Sequence, residues 1–263
     1  MSPHAVQPAP GSPRLGLNFS DFAVTKNAFL PEKTPIHVLS DQYYAPWEIV
    51  AQNLAGLIDE GTIRTAIQRI PILSVDRLAS EAEWRRAYVI LGFMTHAYVW
   101  GGDKPEETIL SCHPFSPMPA ATCGTLPARD DFSDLDKLKI CVSFTGTESE
   151  SWFFLISVAM EAKAAGILQS MATALECVKA RDYTGVIHGL EQLRHCIDGV
   201  AQLLERMHEK CDPMIFYHRI RPFLAGSRNM AAAGLPRGVF YDEAATAPAS
   251  GASSPAAATG RAR

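Results

Sequence analysis

Nine consecutive residues decide most of what this chain can fold into: Trp152-Phe153-Phe154-Leu155-Ile156-Ser157-Val158-Ala159-Met160. As a helix, this run is apolar on every side until Glu161 and Lys163, so it needs neighbours all around it. Thr147 and Glu150 stand just ahead at the spacing of a capping box, which starts a helix. The run predicts a central helix with Phe153, Leu155, Ile156 and Val158 out of reach of water. Ser157 is its one hydroxyl. Bonding to the carbonyl four residues back is a sufficient structural role for it. A polar point in an apolar pocket is the functional alternative.

The flanking chain reads as further helices. Ala45-Pro46 opens one with Trp47, Val50, Leu54, Leu57 and Ile58 on its inner face, ended by Gly61, and a shorter one follows over 62–69. Ser80 with Glu83 makes another capping box, ahead of a helix that Gly101-Gly102 terminates. From Tyr183 to His208 the spacing places Ile187, Leu190, Leu193, Ile197, Val200, Leu204 and Met207 on one face. No strand pattern shows between 40 and 230. The expected class is all-α, with this division: a disordered tail over 1–26, a small helical domain over 27–104, an irregular segment over 105–133, a larger helical domain over 134–243, and a disordered tail over 244–263.

Composition narrows the function classes. A net charge of −4 over 263 residues provides no attraction for nucleic acid or an anionic membrane. No apolar run looks long enough to span a bilayer, and the N-terminus lacks a secretory leader. The six cysteines include no CxxC pair and fit free thiols in a reducing cytoplasm. Cys112, His113 and Cys123 sit in a proline-rich stretch, but their spacing matches no usual zinc ligand set. His188, His195 and His208, without a ligand partner one turn away, read as solvated or core histidines.

The second informative stretch is Asp212-Pro213-Met214-Ile215-Phe216-Tyr217-His218-Arg219-Ile220-Arg221-Pro222-Phe223-Leu224-Ala225-Gly226. Asp212 suits an N-cap, Pro213 the first turn, and Gly226 the end of the helix. Tyr217 and Arg221 are four apart and should project together. A flat ring beside a guanidinium suits a planar ligand bearing a carboxylate. The plainer alternative is an amphipathic core helix whose arginine reaches out to solvent.

Together these landmarks resemble the indoleamine 2,3-dioxygenase family, in its fungal branch. Tyr43-Tyr44-Ala45-Pro46-Trp47-Glu48 is similar to the start of the family's small domain, and Ala97-Tyr98-Val99-Trp100-Gly101-Gly102 to the end of that domain's helix. Ser143-Phe144-Thr145-Gly146-Thr147 and Glu150 to Val158 resemble the start of its haem domain, and 212–226 its substrate-recognition helix. The resemblance implies an all-helical fold around haem b. It also implies oxidative opening of the indole ring of L-tryptophan, or a related indole, by O2 to N-formylkynurenine. By motif position, Phe153, Phe216 and Tyr217 would line the indole pocket and Arg221 would clamp the carboxylate. Phe154 and Ser157 would lie on the distal side of the haem.

Two stretches depart from that pattern: residues 105–132, and everything after Gly238-Val239-Phe240-Tyr241-Asp242-Glu243. No histidine here matches the family's proximal iron ligand. The expectation is therefore a monomeric, cytoplasmic family member that is inactive as it stands. The alternative is a haem-free helical remnant or interaction domain without catalysis.

Overall fold

Helix α5 (Glu148–Ala164) is the axis of the molecule, as its uninterrupted apolar run requires. In the computed structural model, which describes residues 19–22, 24–102, 108–110, 132, 134–226 and 230–242, Trp152, Leu155, Ile156, Val158 and Ala159 are buried. Thr147 caps the helix by accepting the Glu150 N–H, but the capping box is only half made. The Glu150 side chain turns to the preceding loop instead. It accepts from Phe144 N at 2.8 Å, Thr145 N at 2.7 Å, and the hydroxyls of Ser143 and Thr145, both at 2.6 Å.

Ahead of this axis come α1 (Ala45–Gln52), α2 (Leu54–Asp59) and α3 (Ile63–Gln68), then the long α4 (Glu81–Trp100). The single helix expected over 45–61 is broken at Asn53, whose side-chain amide bonds the Ile49 carbonyl and so competes with the helical ladder. The box at Ser80 and Glu83 is complete. Gly101 ends α4 for a steric reason: a Cβ there would lie 2.4 Å from the Ala97 carbonyl oxygen and 2.9 Å from Ile63. Arg86 and Glu48 form a buried bidentate pair, with Nη2–Oε2 at 2.6 Å and Nε–Oε1 at 3.0 Å. Glu48 Oε1 also accepts from Leu39 N at 2.8 Å, so this pair joins α1, α4 and the extended segment before them.

Past α5, helices α6 (Ile167–Lys179) and α7 (Tyr183–Glu205) form an antiparallel hairpin. Its helices come close because Gly189 faces Ala174, where an added Cβ would sit 2.7 Å from the alanine methyl. The face expected to be one buried stripe is divided. Leu193, Val200 and Met207 are partly covered, while Ile187, Leu190, Ile197 and Leu204 are 50–58% exposed. The periodicity was that of an amphipathic helix, but its apolar arc is wider than the neighbours that cover it.

Two three-residue strands, β1 (Thr108–Leu110) and β2 (Phe240–Asp242), pair in parallel with Ile109 opposite Tyr241. The β1 segment corrects the expectation of no strand between 40 and 230, since three residues are too few to show alternation. Otherwise the described residues are helical or irregular. The run Glu148–Lys179 is, by length and composition, long and apolar enough to cross a bilayer, contrary to the sequence expectation. Its first half is the core helix just described, with Glu150 fully buried and hydrogen-bonded, and a core helix meets the same criterion.

Removing one member of a buried ion pair strands the other, typically at about 3–5 kcal/mol. Glu48→Ala should lower stability by that order in urea unfolding. The double replacement Glu48→Met with Arg86→Met should recover much of the loss. A Glu48→Ala protein as stable as the parent would show that the pair is not buried in solution.

Candidate functional site

The recognition stretch begins as expected and then changes character. The Asp212 carboxylate accepts from Met214 N at 2.7 Å and Ile215 N at 3.0 Å, and Pro213 opens α8 (Pro213–Ile215). The next residues, Phe216–Ile220, form a π-helical turn in which Arg221 N–H reaches back to the Phe216 carbonyl. A 3-10 turn over Arg221–Leu224 completes the segment. It ends on extended Ala225, so Gly226 is not the terminating residue that was expected. Wide turns of this kind occur mostly as single insertions in helices, often at functional sites.

The turn has an inner and an outer side. Phe216 is half-buried and its ring lies 4.8 Å from that of Phe153, tilted by 42°. On the outer side the Arg221 guanidinium sits 5.0 Å from the centroid of the Tyr217 ring. The joint projection of Tyr217 and Arg221 is therefore seen directly, as a cation–π contact at an exposed site. His218 meets the same tyrosine edge-on at 5.0 Å.

Helix α5 divides its aromatics between two sides. Phe153 is half-buried, not inaccessible as expected, because it faces Phe216 at the rim. Phe154, about 100° further round the helix, is buried and packs at 6.1 Å against Phe93 of α4. It thus belongs to the core and does not share the rim with Phe153. Ser157 lies one turn beyond Phe153, is exposed, and donates to the Phe153 carbonyl at 2.9 Å. The structural role foreseen for that hydroxyl is present, and the group also stands on the open face.

Two positioning contacts carried no sequence signal. Arg219 pairs with Asp59 of α2 at 3.1 Å, linking the π turn to the small helices. His96 of α4 bonds the Phe223 carbonyl through Nδ1 at 2.6 Å. Phe223 in turn stacks on Phe144 at 4.8 Å, and Phe144 on Phe93 at 4.4 Å. The segment is therefore anchored at its C-terminal end, while Tyr217 and Arg221 stay exposed.

Haem b would need an axial histidine. His37, His188, His195, His208 and His218 are exposed, and His96 is engaged with Phe223. His4 and His113, like Cys112 and Cys123, lie outside the described residues. Among the described residues there is also no cluster of three His, Cys, Asp or Glu able to hold a metal. Among the described residues no histidine is buried. The rim offers contacts for a planar organic ligand.

Known proteins bear on this geometry. The profile of the indoleamine 2,3-dioxygenase family matches residues 18–119 and 120–260. The match comes in two pieces that meet at 119–120, inside the departing stretch 105–132, and reaches residue 260. An indoleamine 2,3-dioxygenase of Penicillium citrinum is 36% identical over 249 residues, covering 86% of this chain and 56% of that protein. One of Aspergillus nanangensis is 37% identical over 240 residues, covering 83% and 58%. A 6-hydroxytryptophan 2,3-dioxygenase of Fusarium equiseti is 34% identical over 230 residues, covering 81% and 57%. The chain thus spans somewhat more than half the length of these relatives.

The divided α5 face is testable by stability. Ile156 is fully buried, and its truncation to alanine should cost about 2–5 kcal/mol. Phe153→Ala should cost clearly less, because part of its ring already meets solvent. Equal losses in chemical denaturation would place Phe153 in the core.

Proposed function

We propose that this chain, which belongs to the indoleamine 2,3-dioxygenase family, selects the indole substrate of a haem-dependent tryptophan dioxygenase. The observation that carries this reading is a pair of contacts on the two sides of one turn: Arg221 over Tyr217 on the outer side, and Phe153 against Phe216 on the inner. Phe153 and Phe216 offer apolar faces to a planar bicyclic ring. Arg221, held near Tyr217, offers N–H donors to a carboxylate at the far end of the same ligand. L-Tryptophan has both features. A ring-hydroxylated tryptophan fits the same description, in keeping with the Fusarium relative's name.

In the family, haem and O2 open the indole ring to N-formylkynurenine. The described residues offer aromatic rings and a guanidinium to such a substrate, and binding without turnover is the reading put to test below. The free thiols of Cys141, Cys177, Cys196 and Cys211 favour a reducing, cytoplasmic setting. A second reading, a helical interaction domain without catalysis, draws support from the open aliphatic stripe of α7. Light scattering separates the two, since only the second requires self-association or a partner.

Two outcomes are expected. Arg221→Ala should weaken L-tryptophan far more than indole, by roughly the 1.5–3 kcal/mol of a hydrogen bond to a charged group. Equal losses for both ligands would remove Arg221 from carboxylate recognition. Added hemin should give no five-coordinate histidine spectrum, and an assay for N-formylkynurenine should stay at background. A single His→Ala substitution that abolishes a defined histidine-ligated spectrum, or turnover by the unmodified chain, would overturn the non-catalytic reading.

A further inference from the structure

Arg221 lies at a junction of two kinds of turn. Its N–H closes the π turn on the Phe216 carbonyl, and the same residue opens the 3-10 turn Arg221–Leu224. Whatever fixes the second turn therefore fixes Arg221. That turn stops where the chain becomes extended at Ala225 (φ −69°, ψ 136°), which carries the following amides away from the Phe223 carbonyl. Carbonyls at the end of a helix lack partners within it and find them elsewhere. The Phe223 carbonyl finds Nδ1 of His96, on α4, at 2.6 Å. A carbonyl oxygen only accepts, so Nδ1 carries the proton, and His96 acts as a cap supplied by another helix.

The other contacts of the segment leave its rotation unset. The Arg219–Asp59 pair joins side chains 49% and 58% exposed, and ion pairs in such settings contribute little. The Asp212 cap acts at the opposite end, before the π turn. The Phe223 ring stacks on Phe144 with an interplanar angle of 7°, and Phe144 stacks on Phe93. Stacking fixes the separation of the rings but lets them turn and slide in their plane. A hydrogen bond is directional and does not. Phe93 and His96 are three apart on α4 and share a face. One helix face thus holds the Phe223 carbonyl directly and its ring through Phe144.

We propose that His96 is a positioning residue for carboxylate recognition, a role that rests on Arg221 reading the carboxylate of an indole substrate. The His96 Nδ1–H holds the Phe223 carbonyl, and through the backbone of 221–223 it keeps the Arg221 guanidinium over the Tyr217 ring. His96 itself touches no ligand.

The test compares three variants of the full chain. His96→Leu removes the donor, His96→Gln moves an amide N–H to the place of Nε2, and His96→Asn keeps one near the place of Nδ1. Without ligand, amide hydrogen exchange at Arg221 and Ala225 should be at least about fivefold faster in the Leu and Gln variants, and within about twofold of the parent in the Asn variant. Exchange at Leu155 and Ile156 of α5 should stay unchanged in all three, which separates a local release from general loss of stability. By calorimetry, the Leu and Gln variants should bind L-tryptophan roughly five- to tenfold more weakly and indole less than about twofold more weakly, with Asn restoring most of the loss. Unchanged exchange at Arg221, equal losses for tryptophan and indole, or an Asn variant no better than Gln would overturn the proposal. A parent chain that binds tryptophan, with a Leu variant that binds it equally well, overturns the role of His96 alone. A parent chain that binds neither ligand overturns the role of Arg221 and this one with it.

Discussion

The fully buried carboxylate of Glu150 is the interaction on which the rest of the architecture depends. It gathers four donors from residues 143–145 and so fixes a loop that no secondary structure holds. That loop carries Phe144 into the stack between Phe93 and Phe223. Phe223 ends the recognition segment, and His96 secures its carbonyl. One acidic residue in the first turn of α5 is therefore linked, through this stack, to Arg221 more than seventy residues further along the chain. Such a carboxylate is tolerated inside because hydrogen bonds replace its lost hydration.

The same economy explains why α5 is central. Trp152 reaches across to the end of α7, donating through Nε1 to the Arg206 carbonyl at 2.8 Å, with Lys210 4.7 Å from its ring centroid. Phe154 turns the other way, into the core shared with α4. One helix thus holds the hairpin on one side and the small helices on the other. Phe153, between the two directions, is left at the boundary, and a boundary aromatic is what a ligand rim needs.

Legibility of these features in the sequence followed the range of the forces involved. The caps at Ser80 and Asp212 are local hydrogen bonds, and the spacing of Ser, Glu, Asp and Pro showed them plainly. The central helix was legible because eight apolar residues in a run of nine leave no polar face. The Glu150 network was mistaken for an ordinary capping box, since both uses share the same spacing and differ only in where the loop folds. Helical periodicity grouped Ile187, Leu190 and Ile197 correctly but is silent on whether anything covers that group. The Arg86–Glu48 pair spans thirty-eight positions and left no pattern at all. Tyr217 and Arg221 were paired by spacing, yet the wide turn that carries them has no compositional signature.

That wide turn has a consequence for how the segment can vary. A π turn holds one more residue than the α-helical turn it replaces, and each residue of an α-helix accounts for ~100° of rotation. Its ends are pinned independently, by the Asp212 cap on one side and the Phe223 stack on the other. Deleting any one residue from 216–220 would let the turn close as ordinary helix, swinging Arg221 about a quarter-turn away from Tyr217. Side-chain exchanges within the turn would leave that geometry in place. The backbone constraint here is thus one of count: the length of the turn is not free to change if Arg221 is to stay near Tyr217.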